Sequence, residues 1–194
     1  MRLKPLAALT SVAVLALAVS WRARAEESVS AIPSPVTEHH DVLKRDVGVW
    51  DAEVKIWSQG PQADPLTSPG VETNRIMEGG LWLISDFKGT VAGQSFEGHG
   101  QFGFDPIKQK YVGTWVDSMS PFLSTMQGTY DPSSQTMTMM SEGRDPQTRK
   151  TVKSKSEARY VDDDHRTFTM SMANPAIPGQ FVKVMQIDYT RRRE

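Results

Sequence analysis

The chain has 194 residues, 22 Lys and Arg against 23 Asp and Glu for a formal charge of −1, and no cysteine. The lack of a thiol excludes disulfides, a cysteine nucleophile and a thiol-linked lipid anchor. The mildly acidic balance disfavours nucleic acid and anionic membrane as partners, because both are held through surplus Lys and Arg.

The first residues carry the three parts of a secretory signal. Arg2 and Lys4 precede an apolar run from Leu6 to Val19, and Ala23-Arg24-Ala25 offers a small-residue cleavage site before Glu26-Glu27. The run falls short of the roughly 20 residues that a membrane-spanning helix needs. Residues 1–25 are therefore expected to be removed on export, to the periplasm or the medium, with no stable membrane insertion afterwards. Their loss takes away Arg2, Lys4, Arg22 and Arg24 and no acidic residue, leaving 18 basic against 23 acidic residues and a formal charge of −5.

Residues 26–37, EESVSAIPSPVT, hold two prolines, three serines and no periodicity, and read as a linker. Residues 38–194 then form one domain, long enough to bury a core without cross-links. Thr37 is placed to cap a short helix with Glu38 in its first turn. Val42, Leu43 and Val47 lie near helical spacing, so about two turns are predicted before Gly48.

From Trp50 onward, period-two alternation and β-branched and aromatic residues predict strands near 50–57, 71–78, 81–91, 95–104, 110–117, 122–130, 135–142, 151–161, 165–172 and 181–190. In TFTMSM, Phe168, Met170 and Met172 share one face and Thr167, Thr169 and Ser171 the other. In TVKSKSEARY, Val152, Ser154, Ser156 and Ala158 lie opposite Lys153, Lys155 and Glu157. Asp105-Pro106, Asp131-Pro132, Asp145-Pro146 and Asp162-Asp163-Asp164 supply the chain reversals between them. So many strands joined by short turns imply a meander that closes to remove its edges. The predicted fold is an all-β, up-and-down antiparallel barrel of about ten strands with one short N-terminal helix, and the alternative is a two-sheet sandwich.

Gly48-Val49-Trp50, at the junction of helix and first strand, resembles the G-x-W signature of lipocalin-like barrels. That resemblance implies a tryptophan packed across the closed end and covered by an arginine after the last strand, here Arg191 in Tyr189-Thr190-Arg191. A guanidinium over an indole gains up to about 2 kcal/mol when desolvated. Taken as a basic cluster, Arg191-Arg192-Arg193 reads as a solvated tail rather than a binding patch. His40 and Leu43, Gly48 and Trp50, the block GQFGFDPIKQKYVGTWVDS, and Tyr189-Thr190-Arg191 together resemble the bacterial domain-of-unknown-function family 1579 over roughly Glu38 to Arg193. The most specific part is the set Gly103, Asp105, Lys110, Tyr111, Trp115, Asp117 and Ser118; Phe104 departs from it, standing where the family commonly shows tyrosine. The resemblance implies a compact barrel and brings no established activity.

Several residues are candidates for chemistry. Tyr111, Gly113, Trp115 and Asp117 share a face, with Trp115 a platform and Asp117 an acceptor if that face lines a cavity; otherwise Trp115 is core and Asp117-Ser118 caps a turn. His99 shares a polar face with Glu97 and Gln101 that looks either inward, to a ligand, metal or haem iron, or to water. His39-His40-Asp41 point in different directions on a helix, which argues against a metal site there, and His165 follows three aspartates in a turn and reads as part of a charged surface loop. No zinc-protease, nucleophile-elbow or phosphate-loop motif occurs, and no pattern names a cofactor.

Met126, Met137, Met139, Met140, Met170, Met172 and Met185 all fall in the later strands. Methionine adapts to irregular apolar space, so Met139 and Met170 join His99, Trp115 and Asp117 as candidates to line a site for a small apolar or amphipathic ligand. Gly48, Trp50 and Arg191 are the candidates for barrel closure. Two other readings keep the same residues in different roles. One is an isomerase or hydrolase with Asp117 and His99 as an acid–base pair on one interior face. The other is a haem-binding barrel with His99 or His165 as axial ligand.

Overall fold

The computed structural model describes residues 35–91, 93–144 and 148–193. Among them one helix, α1 (His39–Lys44), precedes ten strands: β1 (Gly48–Ile56), β2 (Leu66–Ile76), β3 (Trp82–Val91), β4 (Gln94–Asp105), β5 (Lys110–Asp117), β6 (Ser120–Asp131), β7 (Thr136–Arg144), β8 (Thr151–Tyr160), β9 (His165–Ala173) and β10 (Phe181–Arg191). Every strand pairs antiparallel with its neighbours in the chain, and β1 pairs with β10, so the meander closes into a barrel rather than a sandwich. The signal segment and most of the linker lie outside the described residues, as does the Asp145-Pro146 turn.

Alternation decides what faces in. In β1, Trp50, Ala52 and Val54 are buried while Asp51 and Glu53 are exposed. The outer wall carries cross-strand ion pairs, among them Lys88–Glu97 at 3.1 Å and Lys153–Glu142 at 3.3 Å. A barrel that spans a bilayer carries an apolar outer band instead. The aspartate turns form as predicted: Asp105 accepts from the amides of Ile107 and Lys108 at 2.9 and 3.0 Å, and Asp131 from that of Ser133 at 2.9 Å.

Strand β2 begins at Leu66, earlier than the alternation predicts, and runs through Pro69. Proline has no amide hydrogen to give a ladder. Residues 66–69 pair with β1 alone, while the ladder to β3 starts only at Gly70. Proline is therefore tolerated where no donor is required.

Helix α1 also differs from expectation. Glu38 occupies its N-cap without a side-chain hydrogen bond. Instead the Thr37 amide donates to His40 Nδ1 at 3.0 Å, and the His40 amide to the Thr37 carbonyl at 2.9 Å. The helix covers one end of the barrel. Leu43 packs with Leu83, Tyr111, Met137 and Met139, His39 stacks on Phe104 at 3.9 Å, and the Tyr111 hydroxyl donates to the His39 carbonyl at 3.0 Å.

Beside it, Trp50 is 1% exposed, the most deeply buried large side chain. The Arg191 guanidinium lies 4.1 Å from its ring centroid and donates to the carbonyls of Val47 at 2.5 Å and Arg45 at 2.8 Å. Gly48 has φ of 124°, and a Cβ there would stand 2.8 Å from Arg191 Nη1. Only glycine suits both the backbone and the approach. The C-terminal arginines are not a free tail, since Arg192 pairs with Asp51 and Arg193 with Asp164.

Candidate functional site

The inner faces of the strands enclose a cavity of about 470 Å³. Its walls follow from where glycine stands. A Cβ on Gly98 would be 2.1 Å from Trp115 Cζ2, and one on Gly70 would be 2.3 Å from Phe87 Cζ. Both aromatic rings therefore lie flat along the wall over a glycine and leave the lumen open. Met126, Met137, Met139, Met170, Met172 and Met185 all line it. Serines of β6 to β8 add a mildly polar strip to the lining, with Ser141 and Ser154 hydroxyls 2.5 Å apart.

The α1 end of the cavity is charged. Arg166, 6% exposed, pairs with Asp46 Oδ1 at 3.1 Å and Glu72 Oε1 at 2.5 Å. Asn74 Nδ2 donates to Glu72 Oε1 at 2.7 Å, Tyr189 to Glu72 Oε2 at 2.6 Å, and Tyr160 to Asp46 Oδ2 at 2.9 Å. Arg166 also sits 4.7 Å over the Trp50 ring and 4.1 Å over Tyr189. These side chains arrive from α1's flank, β2, β8, β9 and β10, each on the inward phase of its strand. In β9 the same phase delivers Arg166 and then Phe168, Met170 and Met172 toward the far end.

Two carboxylates compete for one guanidinium, and they end differently. Burial pushes Asp46 upward by more than Arg166 and the Tyr160 hydrogen bond pull it down. Burial also pushes Glu72 upward, but there Arg166 and the hydrogen bonds from Tyr189 and Asn74 win, and its pKa is lowered. Burial, helped by the adjacent carboxylates, raises the Tyr160 and Tyr189 hydroxyls well above the ordinary phenol range. Burial, with Tyr130 nearby, pushes Tyr111 up to about 12. All three phenols stay protonated donors.

The sequence-derived candidates fall in different places. Trp115, Asp117, Met139 and Met170 line the cavity. Trp115 Nε1 donates to Asp117 Oδ2 at 3.3 Å, and Asp117 Oδ1 accepts the Met119 amide at 2.9 Å, so Asp117 also closes its turn. His99 is on the outer wall, exposed and paired with Asp86 at 2.7 Å directly across the β3–β4 ladder. The inward phase of β4 is that of Phe96 and Phe102, because large apolar rings gain most from burial. His99 and Asp117 therefore stand on opposite faces of the wall and do not form an acid–base pair. His165 is exposed beside Asp162 at 2.9 Å, so neither histidine presents its ring to the lumen.

Asp46, Glu72, Asn74 and Arg166 were not among the candidates, although a signal existed. Carrying the inward phase of β9 back two residues from Phe168 reaches Arg166, and Glu72 and Asn74 share a phase in β2.

Residues 35–191 match the model of DUF1579, described as a protein of unknown function. The chain belongs to the DUF1579 family. No curated protein matches its sequence. Two solved structures share the fold. Rv2717c from M. tuberculosis superposes with a TM-score of 0.57 at 12% identity, over 81% of this chain and 99% of that one. The S-type phycobiliprotein lyase CPES from Guillardia theta gives 0.52 at 10% identity, over 81% of this chain and 94% of that one. The superpositions show that this DUF1579 member shares the fold of those two structures, and at identities this low they say nothing about its chemistry.

Proposed function

We propose that this DUF1579 protein holds a small apolar or amphipathic ligand inside its barrel. One observation carries the reading: a lumen of about 470 Å³ with six methionines on its walls and aromatic rings laid flat over glycines. That volume lies within the range of about 300–1,000 Å³ typical of small-molecule pockets, and methionine walls adapt to varied apolar shapes. Trp115 and Asp117 stand at the end opposite α1, where the lining is only half-buried, and they form the entrance. The proposal rests on this cavity and not on the solved structures that share the fold.

The N-terminal segment, with its basic start, apolar run and Ala23-Arg24-Ala25 site, supports action outside the cytoplasm, in the periplasm or the medium. The test is to express the full chain, recover it without detergent and weigh it by native mass spectrometry. The expected result is a chain starting at Glu26 that carries a small adduct, or that takes up a fluorescent apolar probe after solvent extraction. A clean mass with no probe uptake overturns the ligand reading, and an uncleaved chain overturns export.

A further inference from the structure

The closed end of the cavity distinguishes between possible head groups. Among the described residues that line this end of the cavity, Arg166 is the one cation, and two carboxylates share it, while Arg45 lies outside the lining over the Tyr160 ring at 4.2 Å. Asn74 is 3% exposed and lines the cavity. Its amide nitrogen must face Glu72, because a carboxylate only accepts, and the amide oxygen is then the atom left over. Among the described residues that oxygen has no hydrogen-bond partner, and neither does Asp46 Oδ1 beyond its ion pair; Arg166 Nε also lacks one. Two acceptors and one donor therefore lie in one contiguous cluster at the cavity floor, and a buried polar group without a partner costs about 1–3 kcal/mol.

We infer that the lumen selects an apolar ligand whose head carries O–H or N–H donors, an alcohol, amide or amine, over the carboxylate of the same tail. This rests on the ligand-binding reading above. A hydroxyl can donate to Asn74 Oδ1 or Asp46 Oδ1 and, being an acceptor as well, can serve Arg166 Nε. A carboxylate brings a third anion to a single guanidinium and sets its lone pairs against those of Asn74 and Asp46. Burying that charge without a cation of its own is disfavoured. A tail of about ten carbons then runs past Phe168 and Met170 toward Trp115.

The test uses the protein recovered from expression of the full chain, at pH 7, and three probes of equal chain length, decan-1-ol, decylamine and decanoate, titrated by calorimetry with tryptophan emission as a second readout. The alcohol or the amine, or both, should bind at least about tenfold more tightly than decanoate, a difference of about 1.4 kcal/mol. The alcohol leading the amine marks a neutral donor head, and the reverse marks a cation drawn by the surplus carboxylate. In Asn74→Leu, checked for folding by circular dichroism, the preference over decanoate should shrink to about threefold or less. Decanoate binding as tightly as the other two overturns the head-group inference and leaves the ligand reading standing. Failure of all three to bind overturns both. A folded Asn74→Leu variant that keeps the full preference overturns the role of Asn74, and the wild-type panel decides the rest if that variant does not fold.

Discussion

At the α1 end of the barrel, three hydrogen bonds among buried groups join residues 94 to 117 positions apart: Arg166 to Glu72, Tyr160 to Asp46 and Tyr189 to Glu72. At the opposite end, Trp115 and Asp117 bond to each other and to Met119, two positions away. The first set ties β2, β8, β9 and β10 together where water is excluded. The second set shapes a turn at an entrance. Long-range bonds between buried charges hold the fold, because breaking one strands its partner. Local bonds at a half-exposed rim leave the fold to the ladders and let the rim meet a ligand.

The largest expected effect is at the closed end, where the two carboxylates can be told apart. Glu72→Gln leaves Arg166 with Asp46 alone and should destabilise the fold by about 3 kcal/mol. Asp46→Asn should change stability by less than about 1 kcal/mol, because the fold does not favour the Asp46 charge and asparagine can still accept from Tyr160. Urea unfolding at pH 7 measures both. The pH dependence gives the sign. Glu72 is lowered on folding, so its contribution is full above its ordinary value of 4.5 and is lost as pH falls through the folded value. The gap between wild type and Glu72→Gln should therefore close in acid. Asp46 is raised on folding, so its contribution is full below its ordinary value of 3.8 and is lost as pH rises through the folded value. Asp46→Asn should remove that loss and flatten the profile on its alkaline side. Equal costs for the two variants at pH 7 would remove the asymmetry argued here.

An intermediate effect is expected where the wall meets the entrance. Gly98→Val places methyl groups where Trp115 now lies, since even a Cβ would be 2.1 Å from Cζ2. The indole must swing toward the lumen, at about 1–3 kcal/mol for overpacking. Tryptophan emission should shift and probe uptake should fall. A variant as stable as wild type, with unchanged emission and uptake, would show that Trp115 does not lie over Gly98.

Much of the fold was legible in the sequence because its signals are local. Period-two alternation, aspartate turns and the Gly48-Val49-Trp50 junction each depend on residues a few positions apart. The site was legible only in part. Trp115 and Asp117 were placed on the face that lines the cavity because they share a strand phase with Tyr111, which local alternation reveals. The phase of His99 was not decidable in the same way: a strand has two faces, and only its neighbours in the sheet tell which is inside. The glycines Gly98 and Gly100 beside Phe96 and Phe102 held the answer, since they make room for Trp115 and Phe102 within the lumen. Asp46, Glu72 and Arg166 stayed hidden for a different reason. Charged residues are ordinarily exposed, and what permits their burial is pairing between Arg166 and carboxylates far away in the chain, Asp46 and Glu72, which no short window of sequence contains.

The smallest effect is expected on the outer wall, and it bears on the comparison through the histidine. His99 faces Asp86 across the ladder with about half of each side chain exposed, 49% and 50%. Exposed pairs of this kind contribute little, so His99→Ala should change stability by no more than about 0.5 kcal/mol. It should also leave probe affinity unchanged, whereas Trp115→Ala, at the entrance, should weaken it. If His99→Ala weakened uptake as much as Trp115→Ala, a ligand would have to be meeting the outer face of β4, where Glu97 and Gln101 flank His99. The lumen would then lose its claim to be the only site. If only Trp115→Ala weakens uptake, the wall between these two residues, one strand thick, separates the binding surface from the solvated one.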